Sequence, residues 1–178
     1  MNLNLESTLG CNLECVMCGS HLSGVTKMRR SMDKELLARV EAQVVDGIEE
    51  LSLTVAGEPF LTPRLPQFVA VAERHGAELS LNTNATLLKD TGLVRRVMRQ
   101  SSVLRFSVDG ATAETYEAIR VKSDFATVIN ELCVSKRRLT SHSPPYCFSS
   151  VFQAASASSW PSYSSPFPIP ALQSPVHV

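Results

Sequence analysis

The sequence predicts an α/β fold on parallel strands, and three observations carry that prediction. Short apolar–polar alternations recur between stretches of helical periodicity across residues 1–140. Regular alternation of strand and helix implies parallel strands joined by right-handed helical crossovers. Each expected strand also ends on a distinctive polar group: the cysteines after the first, Glu58 after the second, Asn82 and Asn84 after the third, Ser107 and Asp109 after the fourth. Ligands of parallel sheets and barrels gather at such strand ends, so these groups should converge on one rim.

Residues 2–7 alternate apolar and polar side chains and run directly into a cysteine loop at residues 10–20. Asp33 can cap a helix reaching about Asp46, with Leu36, Leu37, Val40 and Val44 on one face. A short strand at residues 51–55 ends at Ala56-Gly57-Glu58-Pro59. Pro63 can open a helix to about His75, with Leu65, Phe68, Val69 and Ala72 inward and Gly76 as its stop. A third strand covers residues 78–81, and a helix follows from about Lys89 to Arg99. The fourth strand, residues 103–108, precedes helical stretches near residues 113–120 and 124–138. Cys133, on the last of these, reads as a small buried apolar residue.

Composition divides the chain in two: a core at residues 1–140 and a tail at 141–178. Every Asp, Glu, Lys, Arg and Gly lies in 1–140. The tail holds seven of the ten prolines and eleven serines, with six aromatics scattered among them. Its prolines would interrupt helix or strand. Two explanations stand side by side: a disordered Pro/Ser-rich linker, or a reading frame that shifts near residue 140. Aromatics fit the first poorly, because disordered segments are depleted in them. Cys147, in the tail, has no evident role.

Seventeen basic residues balance seventeen acidic ones, which argues against a nucleic-acid binder. No apolar run is long enough to span a bilayer, and the first ten residues lack a basic leader and apolar core. Five cysteines without a secretion signal argue for thiols and metal ligation in a reducing cytoplasm.

The cysteines are spaced Cys11-x3-Cys15-x2-Cys18. Three thiolates so close can wrap a soft metal centre. A closed structural zinc site needs four protein ligands, and His21 could supply the fourth. Three cysteines instead suit a cubane iron–sulfur cluster with one open iron. The position directly after a strand favours the cluster. So does Met17, an apolar residue between the last two cysteines that can pack on a nucleobase.

With the other strand ends added, residues 3–138 resemble the radical S-adenosylmethionine (SAM) superfamily. The resemblance rests on CNLECVMC at 11–18, AGEPFL at 56–61, NTNATLL at 82–88 and FSVDGATAETYEAIR at 106–120. The last two blocks are worded as in the subgroup that often carries a further SPASM or twitch domain. The resemblance implies a partial (βα) barrel with about four of its six βα units present, followed by an irregular tail. It implies that Cys11, Cys15 and Cys18 ligate a [4Fe–4S] cluster, whose open iron takes the amine and carboxylate of SAM. It assigns Ala56, Gly57 and Glu58 to the SAM amino group, where Glu58 can also salt-bridge the ammonium; the plain alternative is an exposed loop carboxylate. Ser107 and Asp109 match a position that contacts the SAM ribose or carboxylate. Asn82 and Asn84 face SAM or substrate, or cap the following turn. Arg120 either reaches the SAM carboxylate or is an exposed last-turn arginine.

The implied activity is that of an oxidoreductase generating a 5′-deoxyadenosyl radical for hydrogen abstraction from a peptide or small molecule. An external one-electron donor such as flavodoxin or ferredoxin would serve it, without nucleic acid or membrane. Two other classes remain: a cluster- or SAM-binding fragment without turnover, and a zinc-stabilised structural domain.

Overall fold

The computed structural model describes residues 1–138, apart from the side chains of Thr91 and residues 134–138. The tail expected at 141–178 lies outside the described residues. Four strands, β1 (Asn2–Asn4), β2 (Glu50–Ser52), β3 (Glu78–Thr83) and β4 (Ser101–Phe106), form one parallel sheet in the order β1-β2-β3-β4. The helices are α1 (Gly19–Leu22), α2 (Lys34–Val44), α3 (Leu65–His75), α4 (Thr91–Gln100), α5 (Ala113–Ile119) and α6 (Phe125–Arg138). This is the expected α/β succession of four βα units, consistent with part of a barrel wall.

Register separates the sheet into two faces. Leu3, Leu51 and Leu79 are partners across three strands, Leu81 pairs with Leu104, and Phe106 lies on the same face. These apolar side chains join one core with Leu37 of α2, Phe68, Val69 and Ala72 of α3, and Val94, Val97 and Met98 of α4. Tyr116 of α5 and Val128 of α6 complete it. Full burial of each large side chain is worth about 1.5–3 kcal/mol. The other face is mostly polar: Asn4, Ser52 and Ser80 are register partners, Asn82 lies beside Arg105, and the apolar Val103 stands opposite Ser80. A parallel sheet buried on both faces reads as near-continuous apolar runs; this one alternates.

Local chemistry sets the helix limits. Asp33 accepts the Leu36 N–H at 2.6 Å, and Asp90 accepts those of Gly92 and Leu93 at 3.0 and 3.1 Å. Gly76 takes φ 65°, where glycine meets no Cβ penalty, and ends α3.

Several expectations need correction. Leu36 and Val44 are exposed, so the buried side of α2 is Leu37 and, partly, Val40. Leu36 lies about 100° around the helix from Leu37, and Val45, just past the helix end, is buried in place of Val44. The helix expected from Lys89 starts at Thr91 because Asp90 caps it. The fourth strand begins earlier, at Ser101, and ends at Phe106, with a register shift against Leu79 and Ser80. Cys133 is exposed, one position past the half-buried Leu132.

Candidate functional site

Glu58 ties the second strand end to the third. It follows Gly57, where an added Cβ would stand 1.9 Å from the Thr8 carbonyl oxygen. Only glycine permits that approach, which lets the Glu58 N–H reach the Gly10 carbonyl at 2.8 Å. The Glu58 side chain is 2% exposed. One carboxylate oxygen accepts from the Thr83 hydroxyl at 2.8 Å and the Phe60 N–H at 3.1 Å, the other from the Asn84 N–H at 2.7 Å. Burial pushes its pKa up, against these donors, which favour the ionised form. The exposed-loop alternative is therefore wrong, and both oxygens already have partners.

Asn84 carries the connection on to the cysteine loop. Its Oδ1 accepts from the Thr86 N–H at 3.0 Å and hydroxyl at 2.7 Å, which caps the following turn. Its Nδ2 donates to Asn12 Oδ1 at 3.0 Å and approaches Cys11 Sγ at 3.9 Å. The Leu13 N–H also points at Cys11 Sγ, at 3.4 Å. Burial pushes the Cys11 thiol up, the Leu13 donor pulls it down, and the nearby Glu58 charge pushes it up again.

Cys15 is held from the far side of the fold. The cysteine loop pairs with the chain after α5: the Glu14 and Val16 N–H groups each donate at 3.0 Å, to Val121 O and Ile119 O. Between those acceptors stands Arg120, half-buried and engaged rather than exposed at a helix end. Its Nε donates to Asp109 at 2.5 Å, with both side chains 12% exposed, and its Nη1 lies 3.9 Å from Cys15 Sγ. Burial raises the Cys15 pKa and the Arg120 guanidinium opposes it. Cys18 precedes α1 and donates its N–H to Cys15 O at 3.1 Å.

The three thiols are unbridged and influence one another electrostatically. Among the described residues, no three His, Cys, Asp or Glu side chains gather as ligands of a single metal ion. The Cys3His set with His21 is thus not assembled as a tetrahedral zinc site. A cubane places its thiolates on separate irons and needs no such convergence. A cavity of about 220 Å³ opens beside Cys11 and His21, but its lining includes no residue from the second, third or fourth strand ends.

The rim thus brings together Cys11, Cys15, Cys18, Glu58, Asn84 and Asp109. Ala56 and Gly57 lie on its second-strand side, where the Ala56 N–H donates to Glu6 Oε2 at 2.6 Å. Ser107 donates its N–H to Thr83 O at 2.9 Å. Asn82 stays on the polar face of the sheet, and Met17 is 51% exposed. Sequence reasoning passed over Glu6 and Asn12. The signal for Glu6 was an acidic residue alternating with Leu3 and Leu5.

The family model described as the radical SAM superfamily matches residues 5–132. The mycofactocin maturase of Mycobacterium ulcerans is 27% identical over 134 residues, 73% of this chain and 35% of the relative. The AdoMet-dependent heme synthase of Methanosarcina barkeri is 33% identical over 154 residues, covering 75% and 42%. Among solved structures, SuiB of Streptococcus suis bound to S-adenosylmethionine aligns with TM-score 0.57 at 15% identity, over 76% of this chain and 31% of that one. The chain therefore spans about a third to two fifths of the length of these curated relatives.

Proposed function

The chain belongs to the radical SAM superfamily, and on that premise we propose that it is the cluster- and SAM-binding part of a radical SAM enzyme. The cofactors of this family are a [4Fe–4S] cluster and SAM. Cys11, Cys15 and Cys18 would hold the cluster. Ala56, Gly57, Glu58, Asn82, Asn84, Ser107 and Asp109 would form the SAM side of the rim, with Met17 over the base. When bound, the two groups supply one-electron cleavage of a C–S bond and so a hydrogen-abstracting radical.

One observation carries the reading: two of the three thiols have an N–H-bearing side chain directed at the sulfur, Asn84 at Cys11 and Arg120 at Cys15. Donors of this kind stabilise thiolate over thiol, and partners behind a ligand orient and tune it. Burial favours the neutral thiols, so without such donors the pair would resist ligation. Glu58 serves the site by joining two strand ends. Arg120 does so by holding Asp109 and the cysteine loop together.

The substrate would be a peptide or a small molecule, and a flavodoxin- or ferredoxin-like donor would deliver the electron. Residues 1–140 would form the core domain, and 141–178 a separate segment. The chain, reconstituted anaerobically with iron and sulfide and reduced with dithionite, should bind SAM and release 5′-deoxyadenosine. Binding without release would assign it as a non-catalytic module. Zinc uptake with no iron–sulfur signal would overturn the reading.

A further inference from the structure

We infer that Lys27, Arg29 and Arg30 form the docking face for an acidic one-electron carrier protein, seated beside the cysteine loop; this rests on the reading above. The chain as a whole carries no net charge, so a local excess of one sign calls for a reason. Residues 15–32 hold these three cations and no Asp or Glu. All three residues are exposed, and none forms an ion pair among the described residues.

The run is fixed against the residues that lead into Cys11. Arg30 O accepts the Leu9 N–H at 2.7 Å and the Thr8 hydroxyl at 3.1 Å. Arg29 takes φ 47°, in the left-handed region that bulky residues rarely adopt, and its Cα stands 3.3 Å from where a Gly10 Cβ would be. Lys27 and Arg29 line the cavity beside Cys11. Glu14, the acid on that cavity, is engaged by Lys122 at 2.6 Å. The unpaired positive charge therefore adjoins the first cysteine.

Leu22 and Met28 are 69% and 59% exposed in the same stretch. Cations interleaved with exposed apolar side chains suit a small, transient interface: charge steers the encounter and sets its orientation, and a modest apolar contact seats the partner. A one-electron carrier needs such an interface, since it must arrive, deliver and leave. The carrier is oxidised by one electron as the cluster is reduced by one; no atom is transferred, and no bond forms or breaks between them. An anionic stretch of a peptide substrate would meet the same charge. The carrier is favoured because the patch adjoins a cluster ligand, while none of its cations comes from the second, third or fourth strand end, where a substrate would meet SAM.

The full chain, reconstituted with iron and sulfide, is mixed anaerobically with reduced flavodoxin, an acidic carrier, and loss of the oxidised-cluster absorbance is followed by stopped flow at rising salt. Photoreduced deazaflavin, a small reductant with no docking surface, is the control. Lys27→Glu, Arg29→Glu and Arg30→Glu together should slow reduction by flavodoxin at least about tenfold at low salt, within the range of electrostatic steering. They should also remove the fall of the wild-type rate with salt, and leave reduction by deazaflavin unchanged. An unchanged flavodoxin rate overturns the proposal and leaves an anionic peptide as the partner of the patch. Equal slowing with both reductants also overturns it, since the cations would then act on the cluster itself. If the variant takes up no cluster, the wild type decides: reduction by flavodoxin that does not slow with salt is contradictory. A wild-type chain reduced by deazaflavin but not by flavodoxin overturns this proposal alone. One that takes up no cluster overturns the functional reading as well.

Discussion

The two sides of the rim are built differently. At the second and third strand ends, a buried carboxylate is satisfied by three donors from its own chain, and backbone approaches too closely for a side chain. At the cysteine loop, Val16, Met17 and Leu22 are exposed, and the loop is fastened from outside by residues 119–122. The contrast teaches where the fold ends and ligand binding begins. The Glu58 side is finished by its own hydrogen bonds. The cysteine side is positioned by its neighbours, and its Cys11 and Cys15 thiols are desolvated.

Substitutions should separate the two sides. The largest effect is expected at Gly57→Val, because even its Cβ would overlap the Thr8 carbonyl oxygen. We expect a loss of at least about 3 kcal/mol in urea denaturation; tolerance within 1 kcal/mol, on the order of a neutral surface change, would break the comparison. Glu58→Ala leaves three donors without their acceptor, for an expected loss of about 2–3 kcal/mol even in the metal-free chain. A weakened SAM affinity with unchanged stability would show that Glu58 does not hold the two strand ends together. Arg120→Ala leaves Asp109 largely buried without its partner, and should lower stability by about 2 kcal/mol. It should also move alkylation of Cys15 to higher pH, because the guanidinium holds that thiol down against burial.

The metal-free chain should also report its thiols through pH. Burial raises Cys11 and Cys15 above the ordinary thiol range. A group raised in the fold contributes stability that is full below its unfolded pKa, about 8.5 for a thiol, and is lost as pH rises through the folded value. The Tm should therefore decline above about pH 8.5, and decline less when both cysteines are replaced by alanine. A parallel decline in the two proteins would show that these thiols are not desolvated. Met17→Ala should be the smallest change, within about 0.5 kcal/mol, since the side chain is half exposed.

What was legible in the sequence was mostly local. Asp33 as a cap and Gly76 as a stop each act within a few residues of themselves, and the inward set Leu65, Phe68, Val69 and Ala72 follows from one helical period. The cysteine spacing was legible for the same reason. What escaped were partnerships across the chain. Glu58 finds Thr83 and Asn84 25 and 26 residues away, and Arg120 reaches Cys15 105 residues back. No periodicity encodes such contacts; they exist because parallel strands bring their ends to one rim. Leu36 and Val44 are a different case: both are apolar, yet α2 leaves them exposed, because apolar character alone does not fix which stripe a helix buries.

The central claim is that Cys11, Cys15 and Cys18 act together as the ligands of one cluster. The most direct measurement is iron and sulfide content with electron paramagnetic resonance of the reduced chain, after anaerobic reconstitution of the wild type and each single Cys→Ala variant. The account predicts one [4Fe–4S] cluster in the wild type and in Cys133→Ala, and its loss in Cys11→Ala, Cys15→Ala and Cys18→Ala. A full cluster retained in Cys15→Ala would contradict it.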